Sequence, residues 1–339
     1  MKGRMTKKRV IISIIFICAI IGLVLGVVHV NSLMDKPLGP SLNQAQTPVQ
    51  NAAQNQSDQT PPLCGQTPIL NVLVVGIDYR GGNYLYGLAD VIRIVRIDFT
   101  NHQVSVLTLD RAIWVEIPGI STQTGITNGM LNQAYFYGVP AMGYYDGSGG
   151  GAGLLADTLK KNFDLDVNNY AVVNFSTFVK FVDALGGIDV NLPEPVDGTP
   201  GTFFNAGEQH LNGTQSLELA RIREKYTTLI RDSNQDFIIK GIFDKLSSPD
   251  VLTKIPKLIQ TFTGAGLTDL SPRQIENMAC LLNKMGKTDL TFREIPDKYY
   301  VNGWTYDKDL NQNINIWNVD FNIFRSYVSD FMKGQWPQE

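Results

Sequence analysis

The residues able to do chemistry are acids and arginines placed where apolar runs stop. Asp78 and Arg80 follow the run that ends at Gly76, in the phrase GIDYRGG. Asp90 precedes a second run, and Asp110 and Arg111 close a third. A carboxylate at such a position can hold a divalent cation, and a guanidinium can fork onto phosphate oxygens. Arg221, Arg223 and Arg231 add cations further along the chain, and arginine suits planar oxyanions better than lysine does. With Asp78, Asp90 and Asp110 they suggest a phosphate or pyrophosphate together with Mg2+. The plain alternative is a set of charged loops. Arg93 and Arg96, inside a strand-like run, read as surface ion pairs.

Other candidates carry less. The glycine run Gly147–Gly153 precedes a helix and could cradle a phosphate, but no Gly-Lys-Ser/Thr follows, so it reads as a mobile loop. His29 is at the edge of an apolar segment, His102 in an Asn-rich hairpin turn and His210 in a loop, so they form no catalytic set.

The positioning elements are legible from periodicity. Ile69–Gly76, Val91–Asp98, Gln103–Leu109 and Ile113–Ile117 read as strands, apolar on both faces and therefore central in a sheet. Helices are predicted over Gly125–Gly138 and from Leu154. Strand Tyr170–Asn174, helix Phe175–Leu185 and strand Ile188–Leu192 then predict an α/β unit. Thr214–Glu224, capped through Thr214, Ser233–Leu246, Val251–Phe262, Ser271–Lys284 and Val319–Met332 read as further helices, with short strands over 290–318.

Of the 339 residues, the first nine are rich in Lys and Arg, and Val10–Val30 is almost wholly apolar. That run is long enough for a membrane helix, which needs about 20 residues, and longer than a signal-peptide core. The basic flank predicts a cytoplasmic tail (1–9), an anchor (10–30) and a body outside. Residues 31–68, rich in Gln, Asn, Ser and Pro, read as a disordered linker. A net charge of -3 and the lack of a basic stripe argue against nucleic acid. No CxxC pair points to zinc. With the body outside the cytoplasm, Cys64 and Cys280 could form a disulfide; otherwise they are two unrelated thiols.

Several phrases carry a family likeness. Asn71–Arg80 (NVLVVGIDYR), Tyr170–Val196 (YAVVNFSTFVKFVDALGGIDVNLPEPV) and His210–Arg223 (HLNGTQSLELARIR) resemble the LytR-CpsA-Psr family of cell-envelope proteins. Departures are visible. Leu88 replaces an arginine two residues before Asp90. In Thr108–Gly119, Arg111 is kept but Asp110 stands for a proline and Ala112 for an acid. Met130 replaces a lysine, Thr228 an aspartate, Asn234 a second arginine and Asp236 a glutamine.

The resemblance implies a central mixed β-sheet with helices on both faces, preceded by one transmembrane helix. The likeness covers about 69–245 and the anchor, which sets the domain at 69–248; residues 249–333, outside the likeness, read as a helical and short-strand part packed on the same domain. It implies an apolar channel for a polyprenyl-phosphate-linked glycan, and Mg2+-dependent transfer of that glycopolymer to peptidoglycan or another wall polymer. On this reading Asp78, Asp90, Arg80 and Arg111 are catalytic. Arg221, Arg223 and Arg231 bind the lipid pyrophosphate, and Asp78, Asp90 and Asp110 hold the metal. The altered positions leave open a protein that binds such a lipid or glycan without turnover.

Overall fold

The computed structural model describes residues 64, 67–79, 86–198, 202–222, 228–246, 267–282, 284–286 and 288–337. The predicted anchor, nearly all of the linker and the predicted helix Val251–Phe262 lie outside them. Among the described residues no helix is long and apolar enough to cross a membrane.

Strands β1 (Ile69–Ile77), β2 (Ala89–Asp98) and β3 (Gln103–Thr108) form an antiparallel meander. The fourth predicted strand, β4 (Trp114–Glu116), leaves the sheet after the Asp110 turn. It pairs instead with β5 (Asn128–Met130), which was expected to be helical. Between them is the short α1 (Ser121–Thr124), and α2 (Leu131–Gly138) follows.

Helix α3 spans Gly150–Phe163. Its first turn is Gly150–Gly153, the second half of the glycine run, which is buried helix rather than loop; Gly147–Gly149 form the turn that leads into it. The reason is the closeness of α2: a Cβ on Gly151 would come within 2.6 Å of the Tyr135 carbonyl oxygen, and one on Gly138 within 2.6 Å of Leu154 Cβ. Only residues without a side chain let the two backbones meet there.

Next come β6 (Asn169–Asn174), α4 (Phe175–Ala184), β7 (Ile188–Leu192), β8 (Val196–Asp197), β9 (Phe203–Phe204) and β10 (Gly207–Leu211). The expected strand–helix–strand unit does not share one sheet, because β7 pairs with β10. His210 is in strand β10, not a loop, with Nδ1 2.6 Å from Asp189 Oδ1 and Nε2 3.0 Å from the Gly186 oxygen. Helix α5 (Gly213–Arg221) is capped by Asn212, whose Oδ1 accepts from Gln215 N at 2.9 Å. Thr214, already inside the helix, cannot serve.

Helix α6 (Thr228–Leu246) precedes β11 (Leu267–Thr268), α7 (Pro272–Leu282), β12 (Leu290–Glu294), β13 (Tyr300–Asp307), β14 (Gln312–Val319) and α8 (Phe321–Met332).

The main sheet has the order β11-β6-β1-β2-β3-β12. It is mixed: β6 is parallel to β1 and β12 to β3, while the other pairs are antiparallel. On one face Leu73, Val75, Ile92 and Ile94 pack against α2, α3 and α8 through Ala134, Leu155 and Phe324. On the other, Leu70, Val72 and Ile97 meet Leu281 of α7 beside the Cys64–Cys280 disulfide. Helices thus cover both faces, as expected of strands apolar on both sides. A separate core of α4, α5, α6 and β7 includes Phe181, Val190, Leu219 and Ile238.

Candidate functional site

The register of the sheet creates the site. Ile77 of β1 lies opposite Asn174 of β6 on one side and Ala89 of β2 on the other. Two strands end and a third begins at this edge, so Asp78, Asn174 and Asp90 gather there. Asp78 is fixed in the turn. Its N–H donates to Leu88 O at 3.1 Å and its Oδ1 accepts from Leu88 N at 2.7 Å.

Below this edge, between the sheet and helices α4–α6, is a cavity of about 620 Å³. Val74, Val91, Val173, Phe178, Ile238 and Ile242 give it an apolar wall; Asp78, Asp90, Asn174, Arg221 and Gln235 bring polar groups to it. Arg221 ends α5 with its guanidinium 5.0 Å from the centre of the Phe175 ring, a cation–π contact that orients it at the rim. Arg111 hydrogen-bonds and ion-pairs with Asp90 through Nη1. Its own backbone is held by Asn132 N, which donates to Arg111 O at 3.0 Å.

Arg93 also lines the cavity. Contrary to the expectation of a surface ion pair, it is 1% exposed. Its Nη1 donates to Asp236 Oδ1 at 2.5 Å and Thr108 Oγ1 at 2.8 Å, and its Nη2 to Gln235 Oε1 at 3.2 Å. Val91, Arg93 and Val95 alternate onto one face of β2, and that face meets α6. The cavity wall is therefore bolted to the sheet by a buried charge pair. Burial pushes the Asp236 carboxyl above its usual range, and the Arg93 guanidinium offsets part of that rise. Arg96 is buried as well, with Nε donating to Met332 O at 3.2 Å and Nη1 3.3 Å from Asp98 Oδ2. The run IRIVRI alone did not show that helices cover both arginines; their partners lie far along the chain.

Of the predicted site residues, the structure brings Asp78, Asp90 and Arg221 to one cavity, with Arg111 joined through Asp90. Asp110 is not among the lining residues: it is 6% exposed, and its Oδ1 accepts from Ala112 N at 2.7 Å within its own turn. Arg80, Arg223 and the side chain of Arg231 lie outside the described residues. Among the described residues no group of three or more His, Cys, Asp or Glu side chains is placed to hold a metal ion.

A mixed sheet covered on both faces, with a cavity that joins an apolar wall to acids and an arginine at the sheet edge, defines an α/β domain with an amphipathic pocket. A family model described as the LytR_cpsA_psr family matches residues 41–321, and the chain belongs to that family of cell-envelope proteins. It is 28% identical over 251 residues, 72% of this chain and 73% of the relative, to the polyisoprenyl-teichoic acid–peptidoglycan teichoic acid transferase TagU of Oceanobacillus iheyensis. It is 24% identical over 266 residues, 78% of this chain and 74% of the relative, to the regulatory protein MsrR of Staphylococcus aureus. The fold matches the crystal structure of B. subtilis TagV with a TM-score of 0.59 at 20% identity, covering 79% of this chain and 98% of that one.

Proposed function

We propose that the protein is a membrane-anchored, extracytoplasmic transferase. It moves a glycopolymer from a polyprenyl (pyro)phosphate carrier onto peptidoglycan or another wall glycan. The observation that carries this reading is the single cavity that joins an apolar wall to Asp78, Asp90 and Arg221. An isoprenoid tail satisfies the wall, and a pyrophosphate satisfies the rim. The transferase relative supports the same reaction class. The Cys64–Cys280 disulfide supports a body in an oxidising compartment.

In the reaction, an acceptor hydroxyl oxygen forms a bond to the phosphorus that carries the glycan. The bond from that phosphorus to the bridging oxygen breaks, polyprenyl phosphate leaves, and the hydroxyl proton passes to water. Arg221 and Arg111 supply fixed positive charge where negative charge builds on the phosphoryl and leaving oxygens. Asp90 keeps Arg111 at the rim, and the Asp110 carboxylate shapes the turn that presents it. Arg80, Arg223 and Arg231 are assigned to the same pyrophosphate.

Mg2+ suits the residues present. Asp78 and Asp90 line the same cavity, and this ion commonly takes one or two carboxylates and completes its shell with water and phosphate oxygens. Bound there, it would neutralise pyrophosphate charge.

The test is native mass spectrometry of the detergent-extracted protein, paired with a transfer assay using lipid-linked polymer, purified peptidoglycan and Mg2+. The wild type should carry a prenyl phosphate and transfer polymer. Ile239→Trp, which fills the cavity, should lose both. Retention of lipid by that variant, or no transfer by the wild type with any polymer, would overturn the proposal.

A further inference from the structure

The ribbon of β13 and β14 lies outside the cavity and has no part in the site described so far. Its register sets Asn302 opposite Trp317, Trp304 opposite Asn315 and Tyr306 opposite Asn313. Directly opposed residues share a face. Of the alternate positions, Asp307, Ile314 and Ile316 are buried, whereas Val301, Gln312 and Asn318 are exposed. Toward the hairpin end the face opposite those buried residues carries two large rings, Trp304 at 71% and Tyr306 at 53% exposure, set among asparagines; at the other end the same face packs on the core through Tyr300, Trp317 and Val319. Exposed aromatic groups clustered in this way mark an interaction surface.

The asparagines are ordered. Asn302 Nδ2 donates to Asn315 Oδ1 at 3.2 Å, and Asn315 Nδ2 donates back to Asn302 Oδ1 at 3.1 Å and to Gly303 O at 3.1 Å. Each amide keeps further donor and acceptor capacity beyond these bonds. The two strands carry no charged side chain except Asp307, which is 3% exposed and accepts from Gln133 Nε2 at 2.7 Å.

We propose that this face binds an uncharged glycan strand, the acceptor side of the reaction. Sugar rings present C–H faces that stack on Trp and Tyr, and hydroxyl and acetamido groups that pair with side-chain amides. The lack of charge fits a neutral polysaccharide. An anionic lipid surface would call for a cluster of Lys and Arg, which the strands lack.

The ribbon is also joined to the segment that carries Arg111. Trp317 N donates to Ala112 O at 3.0 Å, and Ile113 bridges to Trp317. Ala112 directly follows Arg111, whose guanidinium grips Asp90 at the cavity edge. A strand of sugars lying on Trp304 and Tyr306 is thereby placed on the structural unit that carries Arg111. This assignment rests on the transferase reading and names the surface its acceptor uses.

The experiment is co-sedimentation of the detergent-solubilised full-length protein with peptidoglycan sacculi stripped of attached polymers. A parallel arm uses vesicles of phosphatidylcholine and phosphatidylglycerol, and bound prenyl phosphate is read on the same samples by native mass spectrometry. The wild type should pellet with sacculi. Trp304→Ala/Tyr306→Ala should weaken that binding about tenfold or more while keeping its lipid. Trp304→Tyr, which preserves a stacking ring, should retain binding. Unchanged sacculus binding by the alanine pair overturns the ribbon site and leaves the transferase reading standing. Ribbon-dependent binding to vesicles in place of sacculi also overturns it. Ring-dependent sacculus binding by a protein that transfers no polymer upholds the glycan site and removes the transferase reading instead.

Discussion

Arg93 of β2 and Asp236 of α6, 143 residues apart in sequence, form an ion pair at 2.5 Å in the wall of the cavity. Removing only the cation strands a carboxylate that burial already disfavours. Arg93→Met should therefore destabilise the fold by about 3–5 kcal/mol, the usual result of breaking one side of a buried pair. Arg93→Met/Asp236→Leu should recover much of that loss, because no charge is then left uncompensated. Denaturant unfolding of the two variants checks the order. A double variant weaker than the single one would show that the pair itself is the main link between α6 and β2.

The same carboxyl predicts a pH effect. Its folded value is raised above the ordinary 3.8, with desolvation the largest cause. Between the two values the folded chain holds more protons than the unfolded chain. The stability contributed by this group is therefore fully present below 3.8 and is lost as pH rises through the folded value. Wild type minus Asp236→Asn unfolding free energy should grow as pH falls from neutral toward that window. A flat difference would mean that the Arg93 guanidinium cancels the desolvation completely.

Arg111 and Arg221 reach the cavity edge by different means, one through Asp90 and the other over the Phe175 ring. Either Arg→Ala change should lower polymer transfer about tenfold or more, since each removes a charge from the developing oxyanion. Neither sits in a core cluster, so melting temperatures should change little. Transfer at wild-type rate by both variants would remove the arginines from the reaction.

Much of this arrangement was legible in the chain because it is local. Acids at strand ends, the helix at Phe175 and the strand at Ile188 follow from period and punctuation over a few residues. What the sequence hid was long-range. β4 left the sheet because the Asp110 turn redirects it toward β5, and nothing near Trp114 reports that partner. The glycines before Leu154 read as loop because their purpose, room for Tyr135 and Gly138 of α2, lies on another helix. Arg93 looked like a surface charge because Asp236 and Gln235 arrive from far along the chain.

The Cys64–Cys280 disulfide closes a separation of 216 residues and sits in a small core with Leu70, Val72, Phe99 and Leu281. A crosslink over so long a loop restricts the unfolded chain strongly, and losing a native one costs about 2–5 kcal/mol. Reductant should lower the wild-type unfolding midpoint and leave Cys64→Ser/Cys280→Ser unaffected. Intact mass before and after reduction tests the bond directly, on protein extracted from the membrane under thiol-blocking conditions. Two free thiols in that sample would remove both the stabilisation and the independent support for a body outside the cytoplasm. The cavity and its arginines would be untouched, because they are assembled by the sheet edge and helices α4–α6.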